Sequence, residues 1–247
     1  MKKIILAGGF GKMGQAIQTA ITNEPDLELA GILSHTLHEA DVPVFTDLQV
    51  IDVQADIWVD VTNPTGVFAN AEYALKHGMN VVIGTSGLAE EQIEQLRQIA
   101  KATNQHAIIV PNFSLSAVLL MQFAQKAAAF FPNAEILEIH HPGKIDAPSG
   151  TAKATAKLIA EARKTAPVET NHADQARGVE INDVPVHAMR LPGYVAEEEV
   201  VFGAPGETLR IKQTSFSRES FMGGVILAIR GVEQIHGVQV GLEHLLF

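Results

Sequence analysis

The chain has 247 residues, of which 47% are hydrophobic, and its 28 acidic and 18 basic side chains give a formal net charge of −10. This length can bury the core of one large domain or two modest ones. The lack of cysteine excludes disulfides, thiolate nucleophiles, iron–sulfur centres and cysteine-type zinc sites, and it favours a cytoplasmic location. The acidic balance argues against nucleic acid or an anionic membrane as a partner.

Short apolar runs alternate with helical patterns in the first half of the chain. The first run ends at Gly8 and is too short for a signal peptide or a membrane span. Strands are predicted at 4–7, 27–33, 57–61, 80–83 and 107–110, and helices at 12–23, 67–77 and 88–103. Each helix is long enough to cross back over a sheet, so this half predicts a doubly wound α/β domain with parallel strands.

The second half has a different pattern, which indicates an α+β insertion. Helices are predicted at 116–131, 150–164 and 221–234, and strands at 134–139, 184–189, 199–202 and 208–214. The polar stretch 165–180 contains few large apolar residues and is predicted to be a loop. Periodicity does not decide whether the last helix packs on the first or the second domain.

A glycine-rich motif follows the first predicted strand and leads into a helix. It reads Gly9-x-Gly11-x-x-Gly14, with a further glycine at Gly8. Glycine allows a tight turn and a close approach of the backbone to a pyrophosphate, while the helix start offers N–H groups to the anion. A plain structural turn is the alternative, but the strand–turn–helix context favours dinucleotide binding.

The end of the second strand predicts which nicotinamide cofactor is accepted. An acid there would bind the ribose 2′-hydroxyl and repel a 2′-phosphate, whereas this chain has Ser34 and His35. We therefore expect NADPH to be accepted at least as well as NADH. His35 and Lys12 are candidate contacts for the 2′-phosphate.

Polar loops follow the later strands at the edge where the glycine turn must also lie. They are Val61 to Pro64, Gly84 to Gly87 and Pro111 to Ser114. Ligands of open α/β sheets bind at the carboxyl ends of the strands. Ordinary turn chemistry explains any one of these loops equally well, but their shared position favours a functional role.

The densest group of reactive side chains lies between a predicted strand and a helix. His140, His141 and Lys144 are titratable groups suited to proton transfer. The segment Ser149-Gly150-Thr151 begins the helix, where hydroxyl and N–H groups can hold a carboxylate. Adjacent histidines point to opposite faces of a strand, so no metal site is predicted. Capping by Ser149 alone is the simpler alternative, but it leaves the histidines and the lysine unexplained.

The segment from Glu138 to Ala152 resembles the signature of the 4-hydroxy-tetrahydrodipicolinate reductase family, also called dihydrodipicolinate reductases. Further motifs in the family order extend the resemblance over nearly the whole chain: Gly8-x-x-Gly11-x-Met13-Gly14, Asp60-Val61-Thr62-x-Pro64, Gly84-Thr85-Ser86-Gly87, Asn112-Phe113-Ser114, Arg190-Leu191-Pro192-Gly193, Phe202-Gly203 and Ser217-Arg218-x-x-Phe221.

The resemblance implies a site and a reaction. The family reduces 4-hydroxy-tetrahydrodipicolinate, a cyclic dicarboxylate, to tetrahydrodipicolinate with NADH or NADPH, in the diaminopimelate route to lysine. By similarity, His140 is the catalytic proton donor or acceptor and Lys144 is the second proton donor, while the substrate is bound by His141, Ser149, Gly150 and Thr151. The implied cofactor-binding residues are Gly8, Gly9, Phe10, Gly11, Lys12, Met13, Ser34, His35, Gly84, Thr85, Ser86, Val110, Pro111, Asn112 and Phe113.

The resemblance also implies the architecture. Residues 1–112 and 218–247 would form an N-terminal Rossmann dinucleotide-binding domain, to which the last helix returns. Residues 113–217 would form a mixed α+β domain that binds the substrate and mediates a homotetramer, with closure around hinges near residues 112 and 217.

This chain differs from the family pattern at some positions, and two other functions are alternatives to the one that the resemblance implies. Many family members have an acid at the position of Ser34, and the family often has Gly at Ser116 and His at Gln213. An NAD(P)-dependent oxidoreductase acting on another acid or a sugar would share the glycine motif without needing the His140 to Lys144 cluster. A nucleotide-sensing regulator without turnover would also lack the proton-transfer groups.

Overall fold

The computed structural model of the protein describes residues 1–168 and 175–247. The chain forms two compact units. Unit 1 contains Met1–Phe113 and Phe221–Phe247, and unit 2 contains Ser114–Ser220. In the described part of the chain, no helix is both long enough and apolar enough to cross a membrane.

Unit 1 is built on a seven-stranded sheet whose strand pairs are all parallel. Numbered along the chain, its strands are β1 Lys2–Ala7, β2 Leu27–Leu33, β3 Val44–Phe45, β4 Ile57–Asp60, β5 Asn80–Ile83, β6 Ala107–Ile109 and β12 Val238–Val240. The spatial order is β12-β6-β5-β4-β1-β2-β3. The order reverses beside β1, which is the point where open α/β sheets bind ligands.

Helices cover the sheet of unit 1 on both faces. They are α1 Lys12–Thr22, α2 Val67–Lys76, α3 Glu90–Thr103 and α6 Met222–Gly231. The buried residues of α2 and α3 pack on the central strands, where Trp58 is fully buried. The strands are apolar because helices shield them from water on both sides. The last helix, whose packing the sequence left open, contacts α1.

Unit 2 contains a five-stranded mixed sheet and two helices that pack against each other. Its elements are α4 Leu115–Ala128, β7 Asn133–His140, α5 Gly150–Ala162, β8 Val179–Ile181, β9 Val184–Arg190, β10 Ala196–Ala204 and β11 Glu207–Ser215. The strand order is β11-β10-β7-β9-β8, in which only the β7 and β9 pair is parallel. Apolar residues of α4 and α5 form one core with the inner positions of β7, β9 and β10.

The structure corrects several predicted elements. Strands β3 and β12 were not predicted because each has only two or three residues. Strand β10 begins at Ala196 rather than at 199, since Glu197 and Glu198 are buried strand residues. The loop predicted at 165–180 is wrong at its end, where β8 begins at Val179, and residues 169–174 of that prediction lie outside the described residues.

Candidate active site

The glycine turn after β1 leaves no space for side chains at two positions. Gly8 has a φ of +86°, and a Cβ there would lie 2.6 Å from the carbonyl oxygen of Val61. A Cβ on Gly14 would lie 2.2 Å from the carbonyl oxygen of Gly8. Helix α1 begins directly after Gly11, which provides no side-chain cap for the N–H groups of the first turn. The turn therefore has the close backbone and the open helix start that a diphosphate requires.

Asp60 organises the loops at the carboxyl edge of the sheet. It is fully buried at the end of β4. Its Oδ1 accepts hydrogen bonds of 2.7 Å from both the Thr62 and the Thr85 hydroxyls, and Oδ2 accepts one of 2.8 Å from the Asn70 amide. The loops after β4 and β5 are thus tied to one carboxylate. Sequence analysis did not assign this role to Asp60. An acid at the end of an apolar strand, two residues before a threonine, was a usable signal.

The loops after β5 and β6 pack directly against each other. A Cβ on Gly84 would lie 2.5 Å from the ring of Phe113, so the glycine is needed for this contact. The Gly84 N–H donates to the Asp60 carbonyl at 2.8 Å, and the Val110 N–H donates to the Ile83 carbonyl at 2.7 Å. The structure therefore places the predicted cofactor segments 8–13, 84–86 and 110–113 along one edge of unit 1.

The segment after β2 lies beside the glycine turn. The Ser34 N–H donates to the Phe45 carbonyl at 2.9 Å, and His35 is exposed. The rings of Phe10 and His38 stack with their centroids 3.9 Å apart, and the Thr36 hydroxyl lies 2.8 Å from Nε2 of His38. Sequence analysis missed His38. No local pattern marks it, because its contact with Phe10 depends on the path of the loop.

In unit 2, the buried carboxylate of Glu138 is the centre of a cluster of charged and polar groups. Arg190 donates two hydrogen bonds of 2.9 Å, one to each carboxylate oxygen. His140 Nδ1 lies 2.5 Å from Oε2, and the Ser149 N–H donates to Oε1 at 3.1 Å. Burial opposes the ionisation of Glu138, but hydrogen bonds from Arg190 and then from His140 hold its pKa below the usual value. Glu138 is therefore a carboxylate with donors on both oxygens.

His140 is the neutral member of this cluster near pH 7. Burial lowers the pKa of His140, and this effect outweighs the attraction of the Glu138 carboxylate. The hydrogen bond to Glu138 places the ring proton on Nδ1, so Nε2 carries the lone pair. His140 can thus accept a proton or a hydrogen bond at Nε2. His141 lies beyond the end of β7 and is exposed.

Lys144 lies in the loop that joins β7 to the start of α5. Lys144 Nζ donates to Asp146 Oδ1 at 2.7 Å, and this hydrogen bond holds the pKa of Asp146 below its usual value. The Ser149 hydroxyl is the N-cap of α5 and accepts from the Ala152 N–H at 3.1 Å. Gly150 is exposed with open space at its Cβ position, and Thr151 is half-buried. The Gly150 N–H donates a hydrogen bond to the Asp146 carboxylate, so Asp146 and the Ser149 hydroxyl both engage N–H groups at the helix start.

Sequence analysis did not single out two important residues of this cluster, Glu138 and Arg190. They occurred only within the strings that carried the family resemblance. Alternation along a strand places Glu138 on the same face as His140, which was a usable signal. Arg190 is 52 positions away from Glu138 and comes close only through the pairing of β7 with β9.

Comparison with known proteins agrees with this geometry. A family model described as dihydrodipicolinate reductase, N-terminus, matches residues 2–113, and one described as dihydrodipicolinate reductase, C-terminus, matches residues 116–246. Proteins named 4-hydroxy-tetrahydrodipicolinate reductase are 49% identical in Lactiplantibacillus plantarum and 47% identical in Limosilactobacillus fermentum, with 100% of both chains covered in each case. The same name is given to a Streptococcus pneumoniae protein that is 44% identical, with 99% of each chain covered.

Solved structures show the same relationship. A dipicolinate-bound dihydrodipicolinate reductase from a Paenisporosarcina species superposes with a TM-score of 0.91 at 36% identity, with 99% of each chain covered. A scyllo-inositol dehydrogenase from Lactobacillus casei has a TM-score of 0.65 at 16% identity, covering 100% of this chain and 92% of that one, which shows a shared fold. Fold and site thus define an oxidoreductase with a Rossmann-type dinucleotide-binding unit. More narrowly, the chain belongs to the dihydrodipicolinate reductase family.

Proposed function

We propose that this chain reduces 4-hydroxy-tetrahydrodipicolinate to tetrahydrodipicolinate with NAD(P)H, in the diaminopimelate route to lysine. The observation that carries this proposal is the cluster of Glu138, Arg190 and neutral His140 beside Lys144 and the start of α5, where the Asp146 carboxylate already accepts hydrogen bonds from Lys144 and the Gly150 N–H. Such a site offers a cation, a helix start and a proton acceptor to a small dicarboxylate. The name of the relatives and the dipicolinate in the Paenisporosarcina structure support the same substrate class.

The glycine turn and the loops of unit 1 suit the binding of NAD(P)H, the reductant. Cβ atoms on Gly8 and Gly14 would collide with backbone carbonyl oxygens, so these glycines permit the tight turn from which backbone N–H groups can approach a diphosphate. We assign the diphosphate to the turn from Gly8 to Met13 and the first turn of α1, and the nicotinamide half to the loops after β5 and β6. When bound, NAD(P)H supplies a hydride from C4 of its nicotinamide ring.

Unit 2 supplies charge and protons. We assign one substrate carboxylate to Lys144 and the helix start at Gly150 and Thr151, where it would replace the Asp146 carboxylate and where the positive end of the α5 dipole adds attraction. The 4-hydroxyl of the substrate leaves as water together with a proton from the neighbouring ring carbon, which forms a double bond conjugated with the ring imine. A hydride is then added at ring C4, and the enamine-like product takes a proton back at the neighbouring ring carbon. Lys144 Nζ donates that proton, and His140 Nε2 is placed to accept a proton or a hydrogen bond from the substrate.

A coupled assay tests the function. Purified protein is mixed with the upstream aldol enzyme, its substrates and NAD(P)H, and the loss of cofactor absorbance is followed, with cofactor alone as the control. We expect oxidation of the cofactor that depends on the aldol product. If a sugar or an unrelated acid supports oxidation and the aldol product does not, the protein is a different member of the oxidoreductase class.

The cofactor preference follows from the segment after β2. Since Ser34 places no negative charge there, we expect kcat/KM with NADPH to equal or exceed kcat/KM with NADH. Ser34→Asp should lower kcat/KM for NADPH by roughly 10- to 100-fold relative to NADH, because a carboxylate repels the 2′-phosphate and binds the 2′-hydroxyl. Ser34→Ala is the uncharged control and should keep the ratio. A clear preference of the wild type for NADH would contradict this prediction.

Asp146 competes with the substrate for Lys144. Their 2.7 Å contact must loosen when a substrate carboxylate binds Nζ. Asp146→Asn should therefore lower the KM for the dicarboxylate by up to about fivefold, the range expected for a partly exposed ion pair. Glu161→Gln, which removes the partner of Lys157 on α5, is the matched control and should leave KM unchanged. An unchanged or higher KM in Asp146→Asn would show that this ion pair does not oppose binding.

We further propose that different parts of the chain bind the cofactor and the substrate. Residues 1–112 and 218–247 bind the dinucleotide, and residues 113–217 bind the substrate and mediate a homotetramer in the cytoplasm. Light scattering at several protein concentrations measures the mass in solution, and a monomer at all concentrations would refute the tetramer.

A further inference from the structure

Glu198 is a buried acid that the proposed reaction does not use. It lies on β10 directly opposite Glu138 of β7, so both side chains are on the same face of the sheet. Only 3% of Glu198 is exposed, and Val200 and Phe202 continue this face into the core beneath the helices. Burial raises the pKa of Glu198 to about 7; a hydrogen bond with Thr155 opposes this increase, and the charge of Glu138 adds to it.

The contacts of the Thr155 hydroxyl bear on the protonation state of Glu198. Thr155 Oγ1 is 3.0 Å from the carbonyl oxygen of Thr151 and 2.5 Å from Glu198 Oε1. A hydroxyl has a single hydrogen and can donate it to only one of these oxygens. If the Thr151 carbonyl receives that hydrogen, Glu198 must carry a proton and donate it to Oγ1. A protonated Glu198 is therefore the state in which both short contacts are hydrogen bonds.

The charges that face Glu198 also favour this state. On β7 it faces the carboxylate of Glu138, which Arg190 and His140 hold ionised. On β11 the opposite residue is Gln213, and α5 presents Thr155, neither of which carries a charge. A second anion beside Glu138 in this buried place would be strongly disfavoured, because two adjacent carboxylates do not both ionise readily.

We propose that Glu198, as a neutral acid, is a positioning residue that holds the first turn of α5 in the arrangement that binds the substrate carboxylate. The inference rests on the proposed function, because it assigns dicarboxylate binding to Gly150 and Thr151. Ionised Glu198 would take the Thr155 hydrogen away from the Thr151 carbonyl. It would also place a negative charge behind a helix start that binds an anion, so affinity should fall as Glu198 loses its proton.

Binding of dipicolinate, an inert dianion, measures this effect. We expect the Kd of the wild type, measured by calorimetry, to rise about fivefold from about pH 6 to about pH 8.5, a typical size for the coupling of two sites. In Glu198→Gln, which cannot ionise, the ratio of the two Kd values should be close to one. Glu197→Gln is the matched control: its side chain points to the other face, where it pairs with Lys212 and Thr214, so it should keep the wild-type ratio.

Two further measurements separate positioning from mere packing. Thr155→Ser keeps the hydroxyl and should keep the pH dependence, whereas Thr155→Val retains only the effect of the Glu198 charge and should show a smaller pH dependence. Infrared difference spectra between the wild type and Glu198→Gln should show a protonated carboxyl band near pH 6 that disappears by about pH 8.5. In the folded wild type, Glu198 keeps its proton to a higher pH than it does in the unfolded chain, so the folded state loses stability as pH rises. Between about pH 5 and pH 8, the Tm of the wild type should therefore fall relative to that of Glu198→Gln.

The outcomes distinguish this inference from the proposed function. Equal pH dependence of the Kd in the wild type and Glu198→Gln would overturn the inference, even if the enzyme turns over the aldol product normally. The absence of any dipicolinate binding near pH 6 would overturn it as well. Conversely, a missing turnover with an intact difference in Kd would refute the reaction and retain the role of Glu198.

Discussion

Lys144→Ala and His140→Ala are each expected to lower kcat by roughly 10²-fold or more, the range for a positioned acid or base. Lys144 is assigned to donate the proton that completes the reduction, and alanine has no group to replace it. His140 is held as the Nδ1–H tautomer by Glu138, so its loss removes the Nε2 lone pair that is assigned to accept a proton or a hydrogen bond from the substrate.

Steady-state kinetics with saturating cofactor measure both effects, and Lys153→Ala on α5 provides the control. Lys153 is an exposed lysine in the first turn of the same helix, so this variant removes a neighbouring positive charge without touching the assigned proton donor. It should change kcat by less than about twofold, as is usual for surface substitutions. Near-normal kcat in both Lys144→Ala and His140→Ala would refute the assignment of the proton-transfer groups.

Glu138→Ala is expected to destabilise unit 2 by about 3–5 kcal/mol. The reason is that Arg190 would remain in a largely buried place without its carboxylate partner. Turnover should fall as well, since His140 loses the acceptor that fixes its tautomer. Glu138→Gln keeps a hydrogen-bonding side chain of the same shape and should fold, so its turnover can be measured even if the alanine variant does not fold.

Glu135→Ala offers a closely matched control on the same strand. Glu135 also pairs with a histidine and an arginine, His187 and Arg177, but its side chain is 39% exposed whereas that of Glu138 is 0% exposed. We expect a loss of only about 1 kcal/mol or less for Glu135→Ala. Similar losses of unfolding free energy in urea for the two alanine variants would show that burial does not determine the cost.

The pH dependence of the unfolding free energy also tests the role of Glu138, because the direction of the change is predicted. The pKa of Glu138 is lower in the folded state than its unperturbed value of 4.5. Its stabilising contribution is therefore present above about pH 4.5 and is lost as pH falls through the folded pKa. Glu138→Gln should lack this loss, so the difference in unfolding free energy between wild type and variant should shrink with acidification below pH 4.5.

Local patterns were sufficient for much of unit 1. The turn from Gly8 to Gly14 was predictable because its glycine spacing lies within one strand–turn–helix segment, although the contact that requires Gly8 is made with Val61 in another loop. The parallel strands were predictable because each is apolar and each is followed by a helical pattern. The edge strand β12 was not, since three residues carry no periodicity and its partner β6 is distant in the sequence.

The site in unit 2 was only half predictable. His140, Lys144 and the start of α5 lie within one short segment, so their chemistry could be recognised together. The residues that control them come from other strands: Arg190 by the parallel pairing of β7 with β9, and Glu198 by the antiparallel pairing of β7 with β10. Strand order and register decide these contacts, and neither is encoded in the composition of one segment.

The return of the last residues to unit 1 has a consequence for how the chain acquires its structure during synthesis. Unit 2 is one continuous segment, whereas unit 1 lacks α6 and β12 until residues 221–247 have left the ribosome. Until then, β6 has an open edge and the surface of α1 that α6 covers is exposed. The domain made later in the chain can therefore complete its folding first, and the nascent dinucleotide-binding domain is completed only after residues 221–247 have emerged.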